Sequence, residues 1–96
     1  MAKRKLVPSK TFEKAYIKFV SKKPFLKPTI QKALTSLEED AFSPQLKTHK
    51  LSGNLFGLLA CTCGYDCRII FSIEKDSSTN KEVVLLIDIG THDEVY

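Results

Sequence analysis

The spacing of the hydrophobic residues changes near the middle of this chain, and that change limits the folds available to it. Before the change, apolar side chains recur at helical spacing in two stripes separated by a basic, proline-containing link. The stripes are Phe12, Ala15, Tyr16, Phe19 and Val20 and, from near Pro28 onward, Ile30, Ala33, Leu34 and Leu37. Each helix is too short to persist without packing on an apolar surface. The sequence therefore predicts an αα-hairpin docked on the rest of the chain.

After the change, the pattern is typical of β-strands. Residues 55–62 form one predicted strand, residues 61–71 alternate between apolar and polar, and residues 82–89 are apolar on both faces, as in a central strand. Residues 5–7 form a short extended segment that ends at a proline. Sequential strands joined by short turns pair most simply as antiparallel neighbours. We predict an α+β fold of order β-α-α-β-β-β, with both helices on one face of a small, mainly antiparallel twisted sheet.

Length and charge restrict the classes of partner. With 96 residues, the chain is expected to form one domain, 1–96. Residues 1–50 contain twelve Lys or Arg and four Asp or Glu, whereas residues 51–96 contain three and seven. The basic half indicates a polyanionic or acidic partner, although a solvated lysine face would look the same. No apolar run approaches the roughly 20 residues needed to span a bilayer, so we expect no membrane partner. The basic start has no apolar stretch behind it, so no export signal is evident, and we expect a cytoplasmic location.

Three cysteines lie within seven residues, at Cys61, Cys63 and Cys67. An odd count argues against a disulfide framework and favours a reducing compartment. Zinc is a weak alternative, because the cysteines alternate along a predicted strand and lack the second ligand pair of structural zinc sites. We therefore predict no metal site and interpret the cysteines as small buried hydrophobic residues.

A possible site arises where the last two predicted strands meet. If they pair about the middle of the polar loop at 74–81, Asp66 lies beside Gly90 and Thr91, with His92 close by. Arg68 follows two residues later on the same strand face. An imidazole, a carboxylate and a guanidinium could together transfer protons and hold a phosphate during RNA cleavage. The alternatives are a surface histidine in a frayed tail, a turn aspartate and an arginine in a cross-strand ion pair.

Three segments resemble the RelE/ParE toxin superfamily, and in particular its YafQ-like branch of ribosome-dependent messenger RNA endoribonucleases. The segments are LSGNLFG at 51–57, YDCRIIF at 65–71 and LLIDIGTHDEVY at 85–96. The resemblance implies acid/base or substrate-orienting roles for His49, Asp66 and His92. It also implies that Tyr96 lies near the scissile nucleotide and that Arg68 contacts the scissile phosphate. Around His49, which could otherwise be a solvated loop histidine, we expect Lys47 and Lys50 to bind substrate.

This sequence departs from the branch at several positions. Thr62 stands where another histidine is usual, and threonine cannot exchange protons near neutral pH. Leu55 and Cys67 stand at or next to positions that are often aromatic, so surface for base stacking is lost. These departures predict a weaker enzyme or a different division of catalytic roles.

The resemblance predicts a toxin of a type II toxin-antitoxin system that cleaves messenger RNA on the ribosome through attack of a 2′-hydroxyl. No metal or cofactor is expected. The predicted partners are the ribosome with its messenger RNA and a cognate antitoxin that covers the basic helices. Two alternatives remain: a ParE-like protein that inhibits DNA gyrase without cutting nucleic acid, and a decayed toxin with little activity.

Overall fold

Two amphipathic helices cover one face of a five-stranded sheet in the computed structural model, which describes residues 3–96. The α+β class and the two-helix hairpin are as predicted. The elements in chain order are β1 (Lys5–Pro8), α1 (Lys10–Lys22), α2 (Lys27–Glu39), β2 (His49–Lys50), β3 (Leu59–Gly64), β4 (Cys67–Lys75), β5 (Glu82–Gly90) and α3 (His92–Val95). Three 3₁₀ turns, Pro24–Leu26, Pro44–Leu46 and Gly53–Leu55, lie in the connections.

Local sequence accounts for both long helices. Ser9 caps α1, since its side-chain oxygen accepts a hydrogen bond from the Phe12 N–H at 3.0 Å. A proline in the first turn suits the start of α2, because the N–H that proline lacks would have had no helical partner there. Both helices pack the predicted stripes against the sheet, and their buried residues are Phe12, Phe19, Ile30, Ala33 and Leu37.

The sheet has the order β1-β5-β4-β3-β2. The N-terminal strand β1 lies parallel to β5, and every other neighbouring pair is antiparallel. The last strand, β5, is therefore central, which explains why its sequence is apolar on both faces.

The alternating segment at 61–71, predicted as one strand, is instead a tight hairpin. Gly64 and Asp66 have φ angles of 134° and 49°, in the left-handed region that a tight turn requires. Across the turn, odd-numbered residues still face one side of the sheet and even-numbered residues the other, so Cys63 and Cys67 face the same side. The apolar–polar alternation therefore does not reveal that the chain reverses direction. Two further elements were missed: β2 lies in a segment interpreted as a loop, and α3 in a segment interpreted as a possible tail.

The two faces of the sheet differ. The helix-covered face carries the main core, and the opposite face, here called the open face, carries a smaller apolar cluster of Ala60, Ile70 and Val95 with Leu51, Leu58 and Ile87 around it. Because Val95 belongs to α3, the C-terminal helix docks on the open face. No helix in residues 3–96 is long and apolar enough to cross a membrane.

The prediction that the three cysteines form no disulfide is wrong for two of them. Cys63 and Cys67 are disulfide-bonded across the β3–β4 hairpin, with Cα atoms 5.0 Å apart. The hairpin turn creates this proximity, and a single continuous strand would have kept the two residues well apart. Cys61 is a free, buried thiol, and burial raises its pKa to about 12. It fits the predicted role of a small hydrophobic residue.

Candidate active site

The C-terminal helix α3 presents His92 and Tyr96 on the open face. Thr91 and Glu94 form a capping box: the Thr91 hydroxyl accepts from the Glu94 N–H at 3.3 Å, and a Glu94 carboxylate oxygen accepts from the Thr91 N–H at 2.9 Å. Val95 anchors the helix in the small apolar cluster. His92 and Tyr96, one turn apart, meet edge to face with ring centroids 4.5 Å apart.

Asp66 contacts the main chain of His92. Its Oδ1 accepts the His92 N–H at 3.1 Å, so the carboxylate caps the start of α3. The sequence argument expected Asp66 near His92, and the two residues do meet. The expected contact between this carboxylate and the imidazole ring is not formed, because the hydrogen bond goes to the backbone. The His92 ring instead has its Nδ1 3.5 Å from the exposed carboxylate of Asp93.

His49 reaches the same site from the opposite edge of the sheet. Strand β2 pairs His49 with Ala60, and antiparallel partners share a face, so the imidazole emerges on the open face. The His49 Nε2 lies 3.5 Å from the Tyr96 hydroxyl, and its Nδ1 lies 3.2 Å from the Lys47 carbonyl. If Nδ1 carries the proton and donates a hydrogen bond to that carbonyl, Nε2 is the unprotonated nitrogen, which faces the Tyr96 hydroxyl and can accept a proton. Nothing in the sequence argument placed His49 beside the other residues.

Arg68 lies opposite Gly90 in the pairing of β4 and β5, near enough for its charge to act on Tyr96. Its Nη1 donates to the Cys67 carbonyl at 3.0 Å and to the Thr62 hydroxyl at 3.5 Å. These bonds fix the half-buried guanidinium and leave the N–H groups on Nε and Nη2 for an anion. Burial raises the pKa of Tyr96, and the charge of Arg68 opposes that shift. The Tyr96 hydroxyl therefore stays protonated at neutral pH.

The two predicted substrate-binding lysines have different positions. Lys47, exposed and in the left-handed region at φ 51°, immediately precedes Thr48 and carries the carbonyl that meets His49. Lys50 pairs with Leu59, whose side chain packs on the helix-covered core, so the register directs Lys50 to the face opposite His49. Lys47 therefore adjoins the histidine site through its backbone carbonyl, and it also borders a second cleft, beside α2 on the helix-covered side.

A shallow cleft of about 360 Å³ opens between His49 and Tyr96. It is lined by His49, Leu51, Ser52, Asn54, Leu55 and Tyr96. Leu55, one of the departures from the resemblance, thus contributes an aliphatic wall here. Cys67, another departure, is buried in the disulfide and offers no surface to a ligand. Thr62 uses its hydroxyl structurally, donating to the Gly64 carbonyl at 3.2 Å as well as accepting from Arg68.

Sequence reasoning missed several features of the site that have recognisable signals. The Thr-x-x-Glu spacing at Thr91 and Glu94 is a capping box and could have identified α3. Gly64 and Asp66 between two cysteines are turn-forming residues and could have indicated the hairpin. The exposed aromatics Phe56 and Tyr65, 84% and 93% accessible, were also not singled out. Within residues 3–96, no three or more His, Cys, Asp or Glu side chains are grouped to hold a metal ion.

The architecture is that of a class of small α+β proteins whose solved structures include several bacterial toxins. YafQ from E. coli strain BL21(DE3) is 17% identical, with a TM-score of 0.76 over 97% of this chain and 98% of that one. A chain of the E. coli DinJ-YafQ toxin-antitoxin complex is 18% identical, with a TM-score of 0.74 over 98% of both. A metal-bound toxin from Helicobacter pylori is 26% identical, with a TM-score of 0.72 over 97% and 99%.

Sequence then assigns the family within this class. The family described as the bacterial toxin of the type II toxin-antitoxin system, YafQ, matches residues 4–96, so the chain belongs to it. A search of curated proteins gives no match. Membership confirms the predicted YafQ-like resemblance and makes the protein a toxin of a type II toxin-antitoxin system. It also supports a nuclease role in general and an antitoxin as partner.

Proposed function

We propose that this toxin is a ribosome-dependent endoribonuclease that cleaves messenger RNA and so inhibits translation. The observation that carries the proposal is the row His92–Tyr96–His49, in which two imidazoles flank one aromatic ring, with the charge of Arg68 acting on that ring's hydroxyl. A protein that only binds gyrase has no need for two imidazoles at such a position. Family membership adds independent support for a nuclease.

The proposed reaction is an internal transesterification that needs no metal or cofactor. His49 Nε2 takes the proton of the 2′-hydroxyl, whose oxygen forms a bond to the adjacent phosphorus. The bond from phosphorus to the 5′-oxygen then breaks, and His92 donates a proton to that leaving oxygen. The products are a 2′,3′-cyclic phosphate and a 5′-hydroxyl. Each histidine ends in the protonation state that the other began with, so proton exchange with water restores the enzyme.

Arg68 and Asp66 have supporting roles in this proposal. The free N–H groups of Arg68 hold the scissile phosphate and stabilise the negative charge that develops on its oxygens. Asp66 acts through the His92 backbone, which makes it a positioning residue for α3. This assignment changes the acid/base role that the resemblance implied for Asp66, and the change rests on the hydrogen bond to the His92 N–H.

The proposal gives the aromatic residues the task of holding bases. Tyr96 is 41% exposed above the cleft and offers an edge or face to a nucleotide beside the scissile bond. Phe56 and Tyr65 are one and two residues from Leu55 and Cys67, where the resemblance leads one to expect aromatic side chains. They supply stacking surface close to the positions where those aromatics are missing. Lys47 would bind a neighbouring RNA phosphate.

The remaining partners follow from charge and from the reaction. The lysines of the N-terminal half would face ribosomal RNA, whose phosphates attract them and orient the toxin in the decoding site. The antitoxin would cover the same basic surface with acidic side chains. Because translating ribosomes are the target, the proposed site of action is the cytoplasm.

Incubating the toxin with programmed ribosomes and mapping transcript ends tests the function. We expect cleavage within the translated region, and His92→Gln should slow it by about 10²–10⁴-fold, the usual contribution of a general acid. Lys81→Ala, at the far end of β5 from the site, is the matched control and should cleave like the wild type. Intact transcripts together with inhibited gyrase supercoiling would replace the proposal with the ParE-like alternative.

A further inference from the structure

The disulfide between Cys63 and Cys67 has no part in the proposed reaction, yet it closes the turn that holds the site together. Both residues are buried, and only Gly64, Tyr65 and Asp66 lie between them. Asp66, inside this small ring, accepts the His92 N–H, and the Cys67 carbonyl accepts from Arg68. Residues of the disulfide-closed ring therefore form hydrogen bonds with His92, the proposed proton donor, and with Arg68, the proposed phosphate-binding residue.

A separate cleft, on the helix-covered side, borders Cys63. The disulfide itself is covered in the closed structure, with Cys63 1% and Cys67 0% exposed, so a thiol that enters the cleft reaches a sulfur only when the hairpin turn opens locally. The volume of the cleft is about 580 Å³, and it lies between α2, the segment before β2 and the end of β3. Cys63 and Gly64 form part of its wall, and Lys32 and Lys47 contribute positive charge. Its lining contains no carboxylate, so an anionic ligand small enough to enter meets charge of the opposite sign.

We propose that Cys63–Cys67 is a thiol–disulfide exchange site for a small anionic thiol, and that its redox state determines how firmly Asp66 holds the start of α3. The effect on RNA cleavage rests on the proposed function. The exchange itself and its effect on α3 do not.

The exchange balances with two thiols for each disulfide. A thiolate attacks one cysteine sulfur, the Cys63–Cys67 bond breaks, and a mixed disulfide forms while the other cysteine leaves as a thiolate and takes a proton. A second molecule of the small thiol attacks the mixed disulfide and releases the first cysteine. The protein disulfide is reduced to two thiols, and the two small thiols are oxidised to one disulfide. Cys61 takes no part, because it is not joined to either sulfur of the bond and its burial keeps it a thiol that does not attack the disulfide.

Reduction changes the site because the closed ring limits the conformations open to the turn. Asp66 adopts φ 49°, a conformation that aspartate tolerates in turns, and opening the ring lets the turn sample other backbone angles. When the turn relaxes, the Asp66 carboxylate no longer lies reliably beneath the His92 N–H. Helix α3 keeps its capping box and Val95, so we expect loosening rather than loss of the helix.

Thiol counting on the full chain is the first test. Denatured without reduction, the protein should bind one maleimide label, at Cys61, and after reduction three. Three labels before reduction would overturn the proposal.

The second test uses reduced glutathione, an anionic thiol, and cysteamine, a cationic one, at equal thiolate concentration. We expect glutathione to form the mixed disulfide roughly threefold to tenfold faster, and high salt to remove the difference. Equal rates at low salt would overturn the assignment of the cleft to an anionic thiol.

The third test measures hydrogen exchange of the His92 amide with and without dithiothreitol. Reduction should speed exchange of this amide by roughly tenfold, because the hydrogen bond from the His92 N–H to Asp66 is then formed less of the time. In Asp66→Ala, which lacks the acceptor, reduction should add nothing further. Cys61→Ser is the matched control, keeps the disulfide, and should respond like the wild type. An unchanged His92 amide on reduction of the wild type would overturn the coupling.

The rate of RNA cleavage on ribosomes is measured under the same two redox conditions. We expect reduction to lower this rate several-fold in the wild type but not in Asp66→Ala. If transcripts stay intact in both redox states while the His92 amide responds, the exchange site stands and the endoribonuclease proposal fails. Cys63→Ser/Cys67→Ser should match the reduced wild type, and reduction of the wild type gives the same measurement if that variant does not fold.

Discussion

Thr62 shows how one side chain at the site can serve structure where chemistry was expected. It pairs with Arg68 across β3 and β4, and its hydroxyl links the guanidinium to the Gly64 carbonyl. The resemblance places a histidine at this position. A histidine here would lie beside the permanent positive charge of Arg68. That charge disfavours the protonated imidazolium, so the histidine would be neutral and able to accept a proton. The threonine holds Arg68 in place but cannot take a proton.

Replacing this threonine tests whether the missing imidazole limits activity. Thr62→His should speed RNA cleavage on ribosomes by at least about tenfold, because a further proton-transfer group becomes available next to the phosphate. Thr62→Gln, of similar size but unable to exchange protons, is the control and should not accelerate the reaction. A rate unchanged in Thr62→His would mean that His49 and His92 already supply the proton transfers that limit cleavage.

At the scale of elements, α3 depends on tertiary contacts and caps. Four residues are far too few for an independent helix, since nucleation costs more than one turn of hydrogen bonds returns. The stability that helix propensity cannot provide comes from three contacts: the Thr91–Glu94 capping box, the hydrogen bond to the Asp66 carboxylate and the burial of Val95. The positions of both His92 and Tyr96 follow from these few contacts.

Removing the N-cap should therefore disturb the site more than its exposed position suggests. Thr91→Ala removes the acceptor for the Glu94 N–H and should destabilise α3 by about 1 kcal/mol. We expect faster amide exchange at Glu94 and Val95 and slower RNA cleavage. Thr91→Ser, which keeps the hydroxyl, should behave like the wild type in both measurements. Equal losses in the two variants would show that the methyl group, and not the cap, matters.

The capping box also makes α3 sensitive to acid. Hydrogen bonding from the Thr91 backbone N–H lowers the pKa of Glu94, desolvation opposes this, and the Thr91 side chain, Lys22 and Lys18 lower it further. A lowered carboxylate pKa means that the stabilisation is present above the ordinary value of 4.5 and is lost as pH falls through the lower value in the folded protein. The protection factor of the Thr91 amide, which is the intrinsic exchange rate at each pH divided by the observed rate, should fall in that acidic range. Glu94→Gln, which can still accept the bond, should flatten the profile.

At the scale of the whole molecule, the two faces of the sheet have separate tasks. The helix-covered face contains the main core and supplies most of the buried apolar area, while the open face presents the site above a much smaller cluster. The central strand β5 belongs to both, because it packs under α1 and leads directly into α3. Global stability and the geometry of the site are therefore partly separable.

Reduction of the disulfide should lower global stability by a modest amount. The Cys63–Cys67 bond closes a ring of only five residues, so the chain-entropy model gives a loss of about 2 kcal/mol. Urea unfolding of the wild type with and without dithiothreitol measures this loss from the shift in midpoint. Cys61→Ser should show the same shift, whereas Cys63→Ser/Cys67→Ser should show none. A shift retained in the double variant would point to an effect of the reductant unrelated to this bond.

The sequence by itself determined the α+β class, both long helices and the central strand, because hydrophobic periodicity is local and survives in any fold that buries it. The hairpin argument also placed Asp66, Arg68 and His92 in one corner, since a β-hairpin with a short loop has few possible registers. Tyr96 was added only by the family resemblance. The family followed from motifs at 51–57, 65–71 and 85–96.

Only the tertiary structure decided the contacts between segments far apart in the chain. The two-residue strand β2 is too short to leave a periodic pattern, yet its pairing with β3 brings His49 to Tyr96. The turn at Gly64 and Asp66 preserves the side-chain parity of a continuous strand, so the reversal and the Cys63–Cys67 bond stay hidden in the alternation. Whether Asp66 meets the ring or the backbone of His92 depends on distances of a few ångströms across the sheet, and periodicity carries no information on that scale.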